Sequence, residues 1–188
     1  MRIVRQSKEE VWMQIVIVVG MPAAGKNIAR DYATAKGYRY FATGDIVRAE
    51  VARRGLEPSA ENTARVSTEL RGADGMGVTR LALQTALGEN TAPVFLEGMR
   101  SWAEIELVRE HCQACVIAFL APRELRRGRI IARGRADDAP DAFDSRDRRE
   151  IDYGTAVPIA LADAYVLNTG TREDALRQLD VIVSGLRE

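Results

Sequence analysis

The segment Gly20-Met21-Pro22-Ala23-Ala24-Gly25-Lys26-Asn27 sets two glycines and a lysine at the spacing of a phosphate-binding loop. Gly20 and Gly25 permit backbone angles that other residues avoid, so successive N–H groups can turn inward around an anion. Lys26 can reach a terminal phosphate as a compact cation. It is one of few lysines, at positions 8, 26 and 36, in a chain whose basic residues are otherwise arginine. A glycine-rich turn that merely packs a strand on a helix has a similar composition. A buried strand before the turn and a helix after it distinguish the phosphate loop. Position 27 departs from the pattern. A Ser or Thr hydroxyl there ligates Mg²⁺, whereas Asn27 offers a longer amide oxygen.

Further candidates lie downstream. In Thr43-Gly44-Asp45-Ile46-Val47-Arg48, Gly44 suits a close turn, Asp45 can cap a helix and Arg48 can fork onto a phosphate. The blander reading leaves Asp45 as a cap alone and Arg48 on a solvated face. The apolar run Val94–Leu96 ends on Glu97, where an acid can orient Mg²⁺ or its water, with Arg100 just beyond. An ion-pair or helix-dipole role for Glu97 stays open. Residues 123–150 are dense in charge. Arg129, Arg133 and Arg135 precede a polar stretch with Asp137 and Asp138, and Arg146 and Arg149 follow it. Guanidinium groups on a closing lid can stabilise a transferring phosphoryl, with Arg133 and Arg146 as candidates from either side. The near balance of signs equally allows an ion-pair network on exposed helices.

His111, Cys112 and Cys115 stand together and hold the only histidine and both cysteines. A structural metal site needs a second ligand pair, and none exists. A redox Cys-x-x-Cys would open a helix, whereas Cys115 is expected to begin a strand. Incidental packing is the expectation.

Elements of a particular kind must position these residues. Gln14–Val19 is a continuous apolar run suited to a strand covered on both faces. A helix over Gly25–Lys36 stops at Gly37, and Tyr38–Phe41 reads as a second strand. Helices are expected over Asp45–Arg54, Ser59–Arg71 and Val78–Leu87, then a strand at Pro93–Glu97. Ser101 with Glu104 forms a capping box, and Thr171 with Asp174 another. Cys115–Leu120 and Ala164–Asn168 supply the remaining strands. Pro122 suits a helix start, and a second charged helix should follow the polar stretch near residue 137. Strands that alternate with helices predict an α/β fold, a five-stranded parallel sheet with helices on both faces and ligands at the strands' carboxyl ends. One domain over residues 14–188 is expected, with an insertion near 44–90, a small helical lid near 123–150, and residues 1–13 as a loose extension.

Bulk composition excludes other classes. With 27 basic and 27 acidic residues in 188, the chain carries no net charge to attract nucleic acid or an anionic membrane. No run reaches the length of a membrane span, no signal-peptide core is present, and two cysteines make no disulfide framework. A cytoplasmic protein is expected.

The combination of Gly20–Lys26, Gly44-Asp45-Ile46-Val47-Arg48-x-Glu50, Arg53-Arg54-Gly55-Leu56-Glu57-Pro58 and Glu97-Gly98-Met99-Arg100-Ser101 resembles a family of uncharacterised archaeal P-loop proteins. Arg133-Gly-Arg135-x-Asp137-Asp138, Arg146–Glu150 and Ala160–Asp163 extend the likeness over nearly the whole chain. That family is related to adenylate kinase and dephospho-coenzyme A kinase. The resemblance implies a nucleoside-monophosphate-kinase-like P-loop fold that binds ATP or GTP with Mg²⁺. It implies transfer of the γ-phosphoryl to a small phosphorylated acceptor, a nucleoside monophosphate or dephospho-coenzyme A. By likeness to adenylate kinases, Asp45 and Arg48 open the monophosphate-binding part and Arg100 grips the acceptor phosphate. Asn27 and Glu97 would serve the metal, and the loop Asn168-Thr169-Gly170 would border the base. Family members carry Ser or Thr at position 27 and Asp at position 97, differences that bear on metal handling. Asn27 therefore sustains a rival expectation, a nucleotide-binding switch or ATPase acting on a protein or RNA partner. A structural protein with a relict loop is a third, and a homodimer stays open.

Overall fold

The run of β-branched residues Gln14–Val19 forms β1 at the centre of the sheet, where Ile15 to Val19 are all buried. The computed structural model describes residues 14–89, 93–133 and 140–186. The expected extension at 1–13 and the lid residues Arg135, Asp137 and Asp138 lie outside them. After β1 come α1 (Asn27–Ala35), β2 (Tyr40–Ala42), α2 (Thr43–Arg53), α3 (Ala60–Arg71), α4 (Gly77–Leu87) and β3 (Val94–Glu97). Then follow α5 (Trp102–Arg109), β4 (Gln113–Leu120), α6 (Arg123–Arg133), α7 (Pro140–Asp152), α8 (Ala156–Ala160), β5 (Ala164–Leu167) and α9 (Arg172–Gly185). All strand pairs are parallel, in the order β2-β3-β1-β4-β5.

Alternation along β1 divides the core. Ile15, Ile17 and Val19 face α4 and α5 with Leu96, Ile105 and Val108, whereas Val16 and Val18 face α1 and α9 with Phe95, Phe119 and Leu179. Each fully buried large side chain of this kind is worth about 1.5–3 kcal/mol. Val47, Val51, Val66 and Val78 form a separate small core that ties α2, α3 and α4 together beside the sheet. These helices cover the stretch expected as an insertion and are held by apolar contacts of their own.

Local signals placed most helix ends. Both capping boxes form, Ser101 with Glu104 and Thr171 with Asp174. Gly37 ends α1 at φ 74°, and Ser59 caps α3 through the Asn62 N–H. The helix expected from Asp45 instead begins at Thr43, so Asp45 lies in its first turn and is not its cap. Gly44 is a helical residue, not a turn. A Cβ there would meet the Arg48 guanidinium at 3.3 Å, so the missing side chain gives that group room. Cys115 is the third residue of β4, not its first. The short α8, which carries Pro158, has no counterpart in the sequence reading.

At the free edge of the sheet, the Gln178 amide lies along β5: its Oε1 accepts from the Leu167 N–H at 2.8 Å and its Nε2 donates to the Leu167 carbonyl at 3.1 Å. Among the described residues no helix is long and apolar enough to cross a membrane.

Candidate functional site

The turn after β1 is shaped by close approaches. Gly20 lies at φ 151° and Gly25 at φ 109°. A Cβ at Gly20 would sit 2.7 Å from the Phe119 carbonyl oxygen, and one at Gly25 would sit 2.0 Å from Asn168 Nδ2. Both glycines are therefore required. Ala23 is left-handed at φ 59°, a conformation that costs a non-glycine residue on the order of 1 kcal/mol.

The carbonyls of this loop all have donors. Lys26 Nζ donates to Gly20 O at 2.8 Å and Met21 O at 3.4 Å. Arg126 donates to Pro22 O at 3.1 Å, Arg129 to Ala23 O at 3.3 Å, and Asn168 Nδ2 to Ala24 O at 2.8 Å. At the start of α1 the first N–H groups have no carbonyl of their own helix to bond, which makes the helix end a seat for an anion. Burial pushes the Lys26 ammonium below its ordinary pKa, while the carboxylates of Glu97 and Glu150 act in the opposite sense.

Over the loop opens a cleft of about 550 Å³, lined by Ala23, Gly25, Lys26, Asn27, Glu97 and, from α6 and the β5–α9 connection, Arg129, Arg133 and Gly170. Gly20, Met21, Pro22 and Ala24 do not line this cleft, and Thr169 is exposed beside it. Asn27 and Glu97 present two oxygen donors of the kind Mg²⁺ takes. The donor set fits a magnesium ion whose remaining ligands are phosphate oxygens and water. Among the described residues no cluster of three or more His, Cys, Asp or Glu side chains could hold a metal by itself.

A second cleft of about 380 Å³ lies between the strand ends and α2 to α4, and Glu97 lines it too. Arg30, Arg48, Arg71 and Arg100 reach it. Tyr40 donates its hydroxyl to Glu97 Oε2 at 2.7 Å, and burial together with that carboxylate pushes the Tyr40 phenol up. Asp45 is bonded by Arg30 at 2.9 Å and by Arg48. Burial opposes its charged form, but these two hydrogen bonds outweigh it and hold the carboxyl below its usual range. Arg100 grips Glu150 of α7 with two bonds, 2.9 and 3.2 Å, and lies over the Tyr153 ring.

The arginines of the charged helices divide between ion pairs and the first cleft. Arg126 and Asp147 form a buried two-pronged pair, both bonds 2.6 Å, and Arg123 pairs with Asp144. Arg129 and Arg133 instead reach the first cleft. Arg146 is half-buried on α7 and lines neither cleft in this conformation. His111 is exposed with Nδ1 at 2.9 Å from the Leu107 carbonyl, Cys112 is buried and both thiols are free, as packing predicts. Burial pushes each thiol up to about 11.

Sequence reasoning missed Arg30, Arg71, Tyr40, the bracing bond of Asn168 to Ala24 and the Arg126 contact with the Pro22 carbonyl. Arg30 lies one helical turn beyond Lys26, so its position was the one available signal; the others depend on tertiary neighbours.

A family model described as an AAA domain matches residues 19–144. The chain is 36% identical to a UPF0200 protein of Methanothrix thermoacetophila, over 93% of this chain and 98% of that protein. It is also 36% identical to a UPF0200 protein of Thermococcus kodakarensis, over 92% and 100%. Solved structures of similar fold include TT1252 from Thermus thermophilus, with TM-score 0.67 and 18% identity over 93% of this chain and 98% of that one. A shikimate kinase from Acinetobacter baumannii in complex with shikimate matches at TM-score 0.57 and 14% identity, over 95% and 97%. A gluconokinase from Sinorhizobium meliloti matches at 0.58 and 12%, over 94% and 97%. At such identities the structural likeness speaks for the fold alone.

Proposed function

Because this chain belongs to the UPF0200 family of archaeal P-loop proteins, we propose that it is a phosphotransferase that moves the γ-phosphoryl of ATP or GTP to a small phosphorylated acceptor. The observation that carries this reading is the meeting of two clefts at one carboxylate, Glu97: a phosphate loop opens one and arginines surround the other.

In this reading the loop from Gly20 to Asn27 holds the donor phosphates, with Lys26 leaving the Gly20 and Met21 carbonyls to bond them. Arg48 and Arg100, with Arg30 and Arg71 near, hold the acceptor's phosphate as forked cations. Arg133 meets the transferring phosphoryl from α6, and Arg146 joins it when α7 moves. Thr169 and Gly170 border the base. When bound, Mg²⁺ would neutralise charge on the donor phosphates, with Asn27 and Glu97 as its protein ligands. Alignment and fixed charge supply the rate, since phosphoryl transfer asks little covalent chemistry of the protein. The Gly44–Arg48 segment favours a nucleoside monophosphate over dephospho-coenzyme A, and the cytoplasm is the proposed compartment.

Asn27 favours one other reading, a slow nucleotide switch acting on a protein or RNA partner. A single panel separates the two: purified protein, ATP or GTP, Mg²⁺, and AMP, CMP, UMP or dephospho-coenzyme A. Transfer to an acceptor that vanishes in Lys26→Ala supports the kinase. Hydrolysis indifferent to every acceptor supports the switch, and hydrolysis that survives Lys26→Ala overturns the site.

A further inference from the structure

Pro22 has no N–H, so its carbonyl is its only backbone polar group, and the peptide that follows joins that carbonyl to the Ala23 N–H. A trans peptide is planar, with C=O and the next N–H on opposite sides. Whatever holds the Pro22 carbonyl therefore also aims the Ala23 N–H. Arg126 holds it, at 3.1 Å, and Asp147 holds Arg126 through two bonds of 2.6 Å. The next two carbonyls are held alike, by Arg129 and Asn168. Ala23 itself is left-handed, a state that persists only where the surroundings impose it.

Arg126 differs from Arg129 in one respect. It is 6% exposed and lines the groove behind the loop, beside Met21, rather than the nucleotide cleft. Its one hydrogen bond to the loop is to a backbone carbonyl, and its charge is felt at Lys26 without contact with the cleft.

We propose that Arg126, fixed by Asp147 of α7, is a positioning residue for the phosphate loop: by keeping the Pro22 carbonyl turned away it aims the Ala23 N–H at the nucleotide's phosphates. This rests on the nucleotide reading above. It links the seating of α7, which carries Asp147 and Glu150, to the readiness of the loop to take an anion.

The test uses the full chain with two readouts, ATP affinity by titration calorimetry and amide hydrogen exchange without nucleotide. Removal of both charges, as Arg126→Met with Asp147→Leu, avoids leaving one buried ion unpaired. The expected result is exchange about 10-fold faster at Ala24, whose N–H closes the turn onto the Met21 carbonyl at 3.1 Å around the released peptide, unchanged rates along α9, and ATP bound about 10-fold more weakly, the scale of one lost charged hydrogen bond. Arg126→Lys, which can still reach a carbonyl and a carboxylate, should return both readouts to within about 3-fold of the parent. ATP affinity and Ala24 exchange both unchanged in the double variant overturn the proposal, and so does faster exchange spread evenly over the whole protein, which marks a structural role alone. If the double variant does not fold, Asp147→Asn is judged by the same two measurements. If the parent chain binds no ATP, the nucleotide reading fails, and Ala24 exchange alone decides the role of Arg126.

Discussion

The phosphate loop and the arginine-lined cleft beside it share Glu97 yet are built on opposite plans. In the loop the groups that matter are backbone, and distant side chains hold them: Arg126 from α6, Asn168 from the end of β5. Its glycines are in van der Waals conflict with any replacement. In the second cleft the groups that matter are guanidinium ends on flexible stems, and acids close by hold them: Asp45 for Arg30 and Arg48, Glu150 for Arg100. A site of fixed dipoles needs no rearrangement when the anion arrives. A site of paired side chains must exchange one partner for another. On the proposed reading the backbone of the donor side is prepared in advance, with Lys26 alone exchanging its carbonyl partners, whereas the acceptor side is switchable throughout.

Substitutions should separate the two plans. The largest effect belongs to Gly25→Ala, whose added methyl meets Asn168 Nδ2 at 2.0 Å in a left-handed backbone. It should cost roughly 2–3 kcal/mol of stability and about 100-fold in ATP affinity, read by denaturant unfolding and calorimetry. Arg48→Ala comes next. It should raise the acceptor KM about 10- to 100-fold and leave ATP affinity and stability nearly unmoved, because its partner Asp45 is a half-exposed neighbour in the same helix. Loss of ATP affinity in that variant would erase the contrast. Asn27→Thr restores a hydroxyl at the metal position and should raise Mg²⁺-dependent turnover by roughly 3- to 10-fold, with metal-free ATP binding unchanged. The effect that bears least on either cleft concerns Cys112 and Cys115, which line neither. With both thiols pushed up to about 11 from an ordinary 9.0, alkylation at pH 8 should run at least about 10-fold slower in the folded chain than in denaturant, with or without ATP.

How much of this was legible follows from where each signal lies. The central strand, the loop and both capping boxes are local patterns, so their residues announce themselves. Asp45 was misplaced because Thr43 and Gly44 accept helical angles and α2 starts two residues early, which turns an expected cap into an ion-pair partner. The arginines of residues 123–150 could not be sorted in advance. Only the packing of α6 on α7 sends Arg126 to Asp147 and leaves Arg129 and Arg133 toward the cleft. Asn168, expected only near a base, is also a brace for Ala24 and the reason Gly25 can be nothing larger.

The Gln178 amide beside Leu167 bears on how this protein behaves among its own copies. An unpaired strand at a sheet border invites a stranger's backbone to dock, the first step toward fibrils and swapped assemblies. A side-chain amide offers the same donor and acceptor as a peptide, and here it already fills the pair that an incoming strand would need at that position. The opposite border, β2, spans Tyr40–Ala42 alone and gives little length to extend. Crowded solutions should therefore find this sheet closed to growth at both margins.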